Sequence, residues 1–309
     1  MVRNHGFRRP PDSGGGGTRG AAFAIDPPPP KARLLESQEL PMADTTSSTR
    51  PLALVTGASS GIGLELARQF VQHGYDLVIA AEDAGIEQAA TELRAAGATV
   101  EPVQVDLATD DGVERLAARF ADDRRALDAI ALNAGVGLGG AFLDQDLARI
   151  DNLIDLNVKS TVHLAYRLIP GLVARGQGRV LFTSSIAALM PGTFQAVYNA
   201  SKAFVHSFSE AIRNELKDTG VTVTALQPGA TETNFFHRAD MDDTKVGASK
   251  KDDAAEVARM GFEAMMAGKD HVIAESLKTK IQGVLAEIVP EPLKAEQHRK
   301  MAEPGSASK

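Results

Sequence analysis

The chain has no cysteine among its 309 residues. Disulfides and thiolate-bound metals are therefore excluded, and an intracellular, cytoplasmic protein is expected. An excess of positive charge is also missing. The net charge is −7 and the pI about 5.6, which argues against a nucleic-acid partner, because an acidic chain repels a phosphate backbone. No long uncharged apolar run is present. The best candidate, "LIDLNVKSTVHLAYRLIPGLV", is broken by Lys159, Arg167 and Pro170, so no membrane span is expected. No apolar stretch follows Arg8 and Arg9, so no secretory leader is expected either. The seven histidines are scattered without metal-ligand spacing, and no metal site is expected.

What the chain does have is enough apolar residue, 43%, for one large α/β core or two small ones. The first fifty residues stand apart. "SGGGGTRG", "DPPPP" and "ADTTSSTR" cannot bury enough surface to offset the entropy of ordering. Residues 1–50 are read as a disordered extension, with Met42 a candidate start inside it. Residues 51–285 are read as the folded domain and 286–309 as a C-terminal helix and tail, whose end, "AEPGSASK", reads as frayed.

From Leu52 a rhythm sets in. "LALVT", "DLVIAA", "TVEPVQVDL", "DAIALNAG", "GRVLFTSS", "VTVTALQPG" and "HVIAES" read as strands. Between them, "IGLELARQFVQ", "IEQAATELRAA", "DGVERLAARFA", a long segment over 146–174 and another over 197–217 have helical spacing. Apolar, β-branched strands alternating with helices imply a parallel sheet covered on both faces. With right-handed crossovers this is a single doubly wound, Rossmann-type α/β domain of about seven strands.

Two short stretches carry chemistry. "TGASSGIG" (56–63) joins the first strand to the first helix. Gly57 permits a tight turn, Gly61 a close backbone approach to a pyrophosphate, and Gly63 close packing of helix on strand. The helix N-terminus supplies free N–H groups and the positive end of the dipole. A purely structural turn is the competing reading. "YNASK" (198–202) lies in the helix after the fifth strand. Tyr198 and Lys202, about 40° apart, share a face at the edge of a stripe formed by Phe204, Phe208, Ala211, Ile212 and Leu216. Alone, the pair reads as an amphipathic tyrosine beside a snorkelling lysine. At the carboxyl edge of a doubly wound sheet, where ligands bind, it reads as a proton donor beside a charge. The ammonium is expected to lower the phenol from its usual pKa near 10.

The glycine spacing Gly-x-x-x-Gly-x-Gly resembles that of the short-chain dehydrogenase/reductase family. So do "LNAG" (132–135, with Leu132 in place of the family's first Asn), Asn157 in "LNV", "TSS" ending in Ser185 thirteen residues before Tyr198, "YNASK", and "PGATET" (228–233). The resemblance covers most of 52–275. It implies a proton-relaying set of Asn157, Ser185, Tyr198 and Lys202. Ser185 would hold the substrate oxygen, Lys202 would also bind the nicotinamide ribose, and Asn157 would anchor a water linking Lys202 to solvent. Cofactor contacts would come from Gly57, Ser59, Ser60, Gly61, Ile62, Gly63, Glu82, Asp106, Leu107, Asn133, Ala134, Gly135, Pro228, Gly229, Thr231 and Thr233, together with Tyr198 and Lys202. Asp106 also reads as part of a helix N-cap region.

The cofactor is NAD or NADP, with NAD favoured. "AAEDAG" places Ala81 and Glu82 at the end of the second strand, and no basic residue lies between the first-loop glycines. A carboxylate there would repel a 2′-phosphate. Glu82 and Asp83 pointing into solvent is the competing reading. Leu189, Met190, Phe194, Phe235 and Phe236, with Ser185, are the expected substrate contacts and suit an apolar alcohol or carbonyl compound. Residues 237–253 read as a mobile lid, with a solvated loop as the competing reading. A homodimer or homotetramer through the two long helices is expected from the resemblance. The reading is an NAD(P)-dependent oxidoreductase of an apolar secondary alcohol or carbonyl. A non-catalytic dinucleotide-binding sensor, and an epimerase or dehydratase on the same fold, are the alternatives.

Overall fold

The structure, a computed structural model, describes residues 50–121, 126–274 and 289–308. Seven strands form one parallel sheet: β1 Leu52–Thr56, β2 Asp76–Ala81, β3 Val100–Gln104, β4 Leu127–Leu132, β5 Gly178–Thr183, β6 Val221–Pro228 and β7 His271–Ala274. Their order is β3-β2-β1-β4-β5-β6-β7, and the sheet is the doubly wound, seven-stranded parallel sheet expected. The chain winds one way from β1 to β3 and the other way from β4. The loops after β1 and β4 therefore part at the carboxyl edge and leave a crevice. The expected extension before Arg50 and the last residues assigned to the seventh strand, Glu275 and Ser276, lie outside the described residues.

Alternation along β1 divides the core. Ala53 and Val55 face helices α1 (Gly61–Gln72), α2 (Gly85–Ala95) and α9 (Ala254–Met266), packing with Leu66, Phe70, Ile86 and Phe262. Leu52 and Leu54 face the opposite layer, α3 (Asp110–Ala117), α5 (Ser160–Ala174) and α6 (Ala196–Glu215), with Leu116, Leu164, Phe182 and Val205. Side chains two apart on a strand share a face, so each layer receives every second residue. Each such fully buried leucine or phenylalanine stabilises the fold by roughly 1.5–3 kcal/mol.

The long helix expected over 146–174 is interrupted. Helix α4 (Leu147–Ile154) passes through a π turn at Asp155–Lys159 into α5. The wide turn is centred on Asn157, which is buried. Such a bulge re-aims one side chain out of the regular helical register. Here it aims Asn157 at the loop after β4.

Two expectations are corrected. The run 237–253 is not a bare solvated loop. Helices α7 (Phe235–Arg238) and α8 (Lys245–Ala248) occupy it, and Ala239, Met241, Thr244 and Gly247 are buried. The chain end is not frayed. Helix α10 (Glu291–Ala302) and a 3-10 turn (Ser306–Ser308) pack on that segment. Ala302 joins Phe236, Ala239 and Met241 in a cluster. Asp243 accepts from the backbone N–H of Gly305 through its carboxylate and of Ala307 through its carbonyl. The polar composition misled because a few apolar residues, spaced apart in sequence, meet only after folding. Helix α9 carries a signal in its own sequence. Asp253 with Glu256 three residues on is a capping pattern, and the Asp253 carboxylate accepts from the N–H groups of Ala255 and Glu256.

Candidate active site

One cavity of about 700 Å³ runs along the carboxyl edge of the sheet. The glycine loop forms its floor. Gly57 and Gly61 sit at φ +67° and +56°, a region that disfavours side chains. A Cβ on Gly63 would lie 2.0 Å from the Gly57 carbonyl oxygen, and one on Gly61 would lie 2.9 Å from Thr233 Cγ2. Helix α1 thus starts flush against the strand end, its first N–H groups open to the cavity. This is a cradle of the size and polarity that a dinucleotide's pyrophosphate requires, and the residues fit such a group.

Thr56 and Asn133 tie the strand ends together. Thr56 Oγ1 accepts from the backbone N–H of Asn133 and Ala134, at 2.9 and 3.0 Å. Asn133 Nδ2 donates to the Thr56 carbonyl at 3.2 Å, and Thr183 Oγ1 donates to Asn133 Oδ1 at 3.0 Å. Leu132, the departure from the motif, is the last residue of β4 and packs in the α5–α6 core layer. The turn is built without it.

At the β2–β3 end the walls are acidic. Glu82, Asp83 and Asp106 line the cavity there. Asp83 is tied down: Ser59 Oγ donates to its carboxylate at 2.7 Å, and Gly85 N–H donates at 2.9 Å. Asp106 accepts from Ala108 N–H at 2.8 Å, so it serves the turn before α3 and also faces the cavity.

Further along lies the tyrosine. Ser185, just past β5, accepts from Ala187 N–H at 3.1 Å, and its Oγ is 3.2 Å from the Pro228 carbonyl. Ser185 also acts on the Tyr198 phenol in the direction that favours its ionised form. Lys202, one turn along α6, is buried and donates to the Thr183 carbonyl at 3.0 Å. Its Nζ lies 6.0 Å from the centre of the Tyr198 ring. Burial pushes the phenol up to about 12, with Ser185 pulling the other way. Burial pulls the lysine down to about 8. The expected lowering of the phenol by the ammonium is not what burial alone gives. Both groups share one dry wall, and desolvation disfavours each charged form.

All residues expected to contact a cofactor line this one cavity. Of the expected substrate contacts, Ser185, Met190, Phe235 and Phe236 do so, whereas Leu189 and Phe194 do not. Phe194, at φ 66°, packs beneath the guanidinium of Arg299 on α10, 5.0 Å away. The Leu189 carbonyl faces Lys294 on the same helix. Asn157 stands behind the wall. It accepts from Val136 N–H and donates to the Val136 carbonyl, both at 2.9 Å, and donates to Ser201 Oγ at 3.1 Å. Its own carbonyl accepts from Thr161 Oγ1 at 2.9 Å.

Sequence reasoning missed Lys294, Gln297, His298 and Met301 of α10, and Lys245 and Lys250, all of which line the cavity. Helix α10 gives a poor amphipathic signal, with charged residues at five of its twelve positions. His298 is buried, with Nδ1 2.8 Å from the Thr193 carbonyl and Nε2 3.4 Å from Asn199 Nδ2. It therefore bridges the loop before α6 to the residue that follows Tyr198. Among the described residues no cluster could hold a metal, and no helix is long and apolar enough to cross a membrane.

Comparison with known proteins bears on the same architecture. The family model described as short chain dehydrogenase matches residues 51–244. A probable oxidoreductase EphD of Mycobacterium tuberculosis is 34% identical over 202 residues, which is 63% of this chain and 34% of that protein. The chain thus spans about a third of the length of this mycobacterial relative. A short-chain dehydrogenase from Sphingobium yanoikuyae, solved in complex with NADPH, superposes with a TM-score of 0.69 at 30% identity, covering 78% of this chain and 96% of that one. A bulky-bulky ketone specific alcohol dehydrogenase from Comamonas testosteroni superposes with a TM-score of 0.65 at 28% identity, covering 77% and 95%. The chain belongs to the short-chain dehydrogenase/reductase family.

Proposed function

We propose that the chain is an NAD(P)-dependent oxidoreductase acting on an apolar secondary alcohol or its carbonyl counterpart, with Tyr198 as general acid and base. The observation that carries this reading is that Ser185, Tyr198 and Lys202 line the wall of the cavity whose floor is the glycine cradle. A bound nicotinamide cofactor supplies or takes up the hydride. Tyr198 is protonated at neutral pH, being held well above it, and donates its proton to the carbonyl oxygen in the reducing direction. In the reverse direction it takes the alcohol proton. Ser185 Oγ holds the same oxygen, and Lys202 supplies positive charge behind the phenol and a donor to the cofactor ribose. Asn157 acts as a positioning residue, fixing Val136 and Ser201. Met190, Phe235 and Phe236 offer an apolar surface to the substrate body, in keeping with the ketone named for the Comamonas neighbour.

NAD is favoured over NADP. The carboxylates of Glu82, Asp83 and Asp106 line the end of the cavity where the adenosine ribose binds in this fold, and no lysine or arginine lines it there. The Sphingobium neighbour was solved with NADPH, which speaks for the other cofactor. The exposed Tyr166 of α5 and Phe204 of α6 support assembly as a homodimer or homotetramer through those helices. A fluorescence titration with NADH and with NADPH tests the cofactor reading. NADH is expected to bind at least about tenfold more tightly, a difference of about 1.4 kcal/mol. Tighter NADPH binding would overturn the preference, and binding of neither would leave the glycine loop a structural turn.

A further inference from the structure

The cavity is electrically two-ended. Its β2–β3 end carries Glu82, Asp83 and Asp106, whereas Arg238, Lys245, Lys250 and Lys294 line the opposite half, where Asp252 is the facing carboxylate. These cations differ from most others on the chain. Arg68, Arg119, Arg149, Arg167, Arg259 and Arg299 each pair with a carboxylate. Among the described residues, Arg238, Lys245 and Lys250 have no carboxylate within ion-pair distance of their head groups.

Nearby acids are committed elsewhere. Asp240 pairs with Arg149, Asp242 with His237, and Asp243 accepts from Gly305 N–H. Lys294, by contrast, is buried on α10 and pairs with the exposed Glu291 at 2.7 Å. The glycine loop and the start of α1 already provide for a pyrophosphate, so the cationic half has no anion assigned to it. From Tyr198 an apolar wall runs through Phe235, 5.2 Å away ring to ring, to Phe236, a further 5.4 Å on, and Met190 lines the same cavity.

We propose that the substrate is amphiphilic: an apolar chain whose carbonyl or hydroxyl meets Tyr198 ends in an anionic oxoacid group, carboxylate or phosphate, which Arg238, Lys245 and Lys250 receive at the cavity mouth. This rests on the catalytic reading above for the reacting end only; the anion-binding end stands on the charges alone. Exposed cations bind an anion through long-range, salt-sensitive attraction, and a guanidinium adds paired donors to an oxoacid. The apolar wall accounts for the middle of such a molecule.

The test separates the two ends. Calorimetry on the full chain with NADH present compares hexanoate, hexyl phosphate and 1-hexanol, none of which needs to react. At least one anion is expected to bind about tenfold or more tightly than the alcohol, which is about 1.4 kcal/mol. The better of the two anions names the source. The advantage is expected to fall in the triple variant R238Q/K245Q/K250Q, whose positions are exposed, and at high salt, with NADH affinity changing less than about twofold. Equal binding of anion and alcohol overturns the proposal. So does a triple variant that loses NADH affinity while keeping the anion preference, because the cations would then serve the cofactor. Turnover of 7-oxooctanoate against its methyl ester is the second arm, in which the acid is expected to have the higher kcat/KM. Anion binding without turnover of either would sustain the anion end and count against the oxidoreductase reading alone.

Discussion

On the side of β1 to β3 the cavity is walled by backbone: glycines too crowded for a Cβ, strand ends tied by Thr56 and Asn133, and carboxylates held by neighbouring N–H groups. On the other side it is walled by side chains from three segments far apart in sequence: the loop before α6, the pair α7–α8, and α10. Backbone walls are specified by local sequence, since a positive φ or a missing Cβ is a property of one position. Side-chain walls are specified by packing between segments, and here they join through the Thr193, His298 and Asp243 hydrogen bonds. The first wall suits a ligand common to many relatives. The second suits one particular to this chain, and the family match ends at residue 244, before α10 begins.

Four changes probe that contrast. Tyr198→Phe sits where the two walls meet, and kcat is expected to fall by about 10²–10⁴-fold, the range for losing a general acid, with NADH affinity nearly kept. Steady-state kinetics beside a binding titration checks it, and a fall in NADH affinity of the same size would place Tyr198 in binding alone. Gly63→Ala attacks the backbone wall. Its Cβ meets the Gly57 carbonyl oxygen at 2.0 Å and Asn133 Nδ2 at 2.6 Å, so destabilisation of roughly 1–3 kcal/mol or more and loss of NADH binding are expected. Urea unfolding and titration read both.

Lys202 gives a pH test. Its pKa is about 8 in the folded chain against 10.5 for the free side chain. Between those values the unfolded chain binds more protons than the folded one, so stability contributed by this site rises with pH from about 8 to about 10.5. The slope is at most about 1.4 kcal/mol per pH unit. Tyr198, raised from 10.0 to about 12, works in the opposite sense and only above pH 10. Unfolding of wild type and Lys202→Met at pH 8 and pH 10 isolates the term, and identical pH slopes would remove it. The smallest effect is expected from His298→Ala in the side-chain wall. Loss of its hydrogen bonds to Thr193 and Asn199 costs roughly 1–2 kcal/mol. It is expected to change substrate KM while leaving the NADH dissociation constant within about twofold, and a larger effect on NADH than on substrate would merge the two walls.

Much of the backbone wall was legible in the sequence. "TGASSGIG", "LNAG" and "PGATET" carry turn residues at fixed offsets from apolar strands, and each lies where its spacing places it. The side-chain wall was legible only in part. Phe235 and Phe236 lie in the cavity as their position after β6 suggested, but Phe194 is held away under Arg299. The run 237–253 read as a mobile or solvated segment because its buried apolar residues, Ala239 and Met241, are few. Their partner, Ala302, is more than fifty residues further along the chain. No periodicity within either segment records that meeting.

By itself the sequence determined the doubly wound sheet, the glycine cradle and the Tyr198–Lys202 pairing, because each follows from local periodicity, turn geometry or the pitch of one helix. Only the tertiary structure decided the protonation balance of that pair, the π turn that turns Asn157 inward, and the α10 wall with its cations. Burial of a titratable group, the register of a bulged helix and the docking of a terminal segment depend on atoms contributed by distant residues, and no local pattern encodes them.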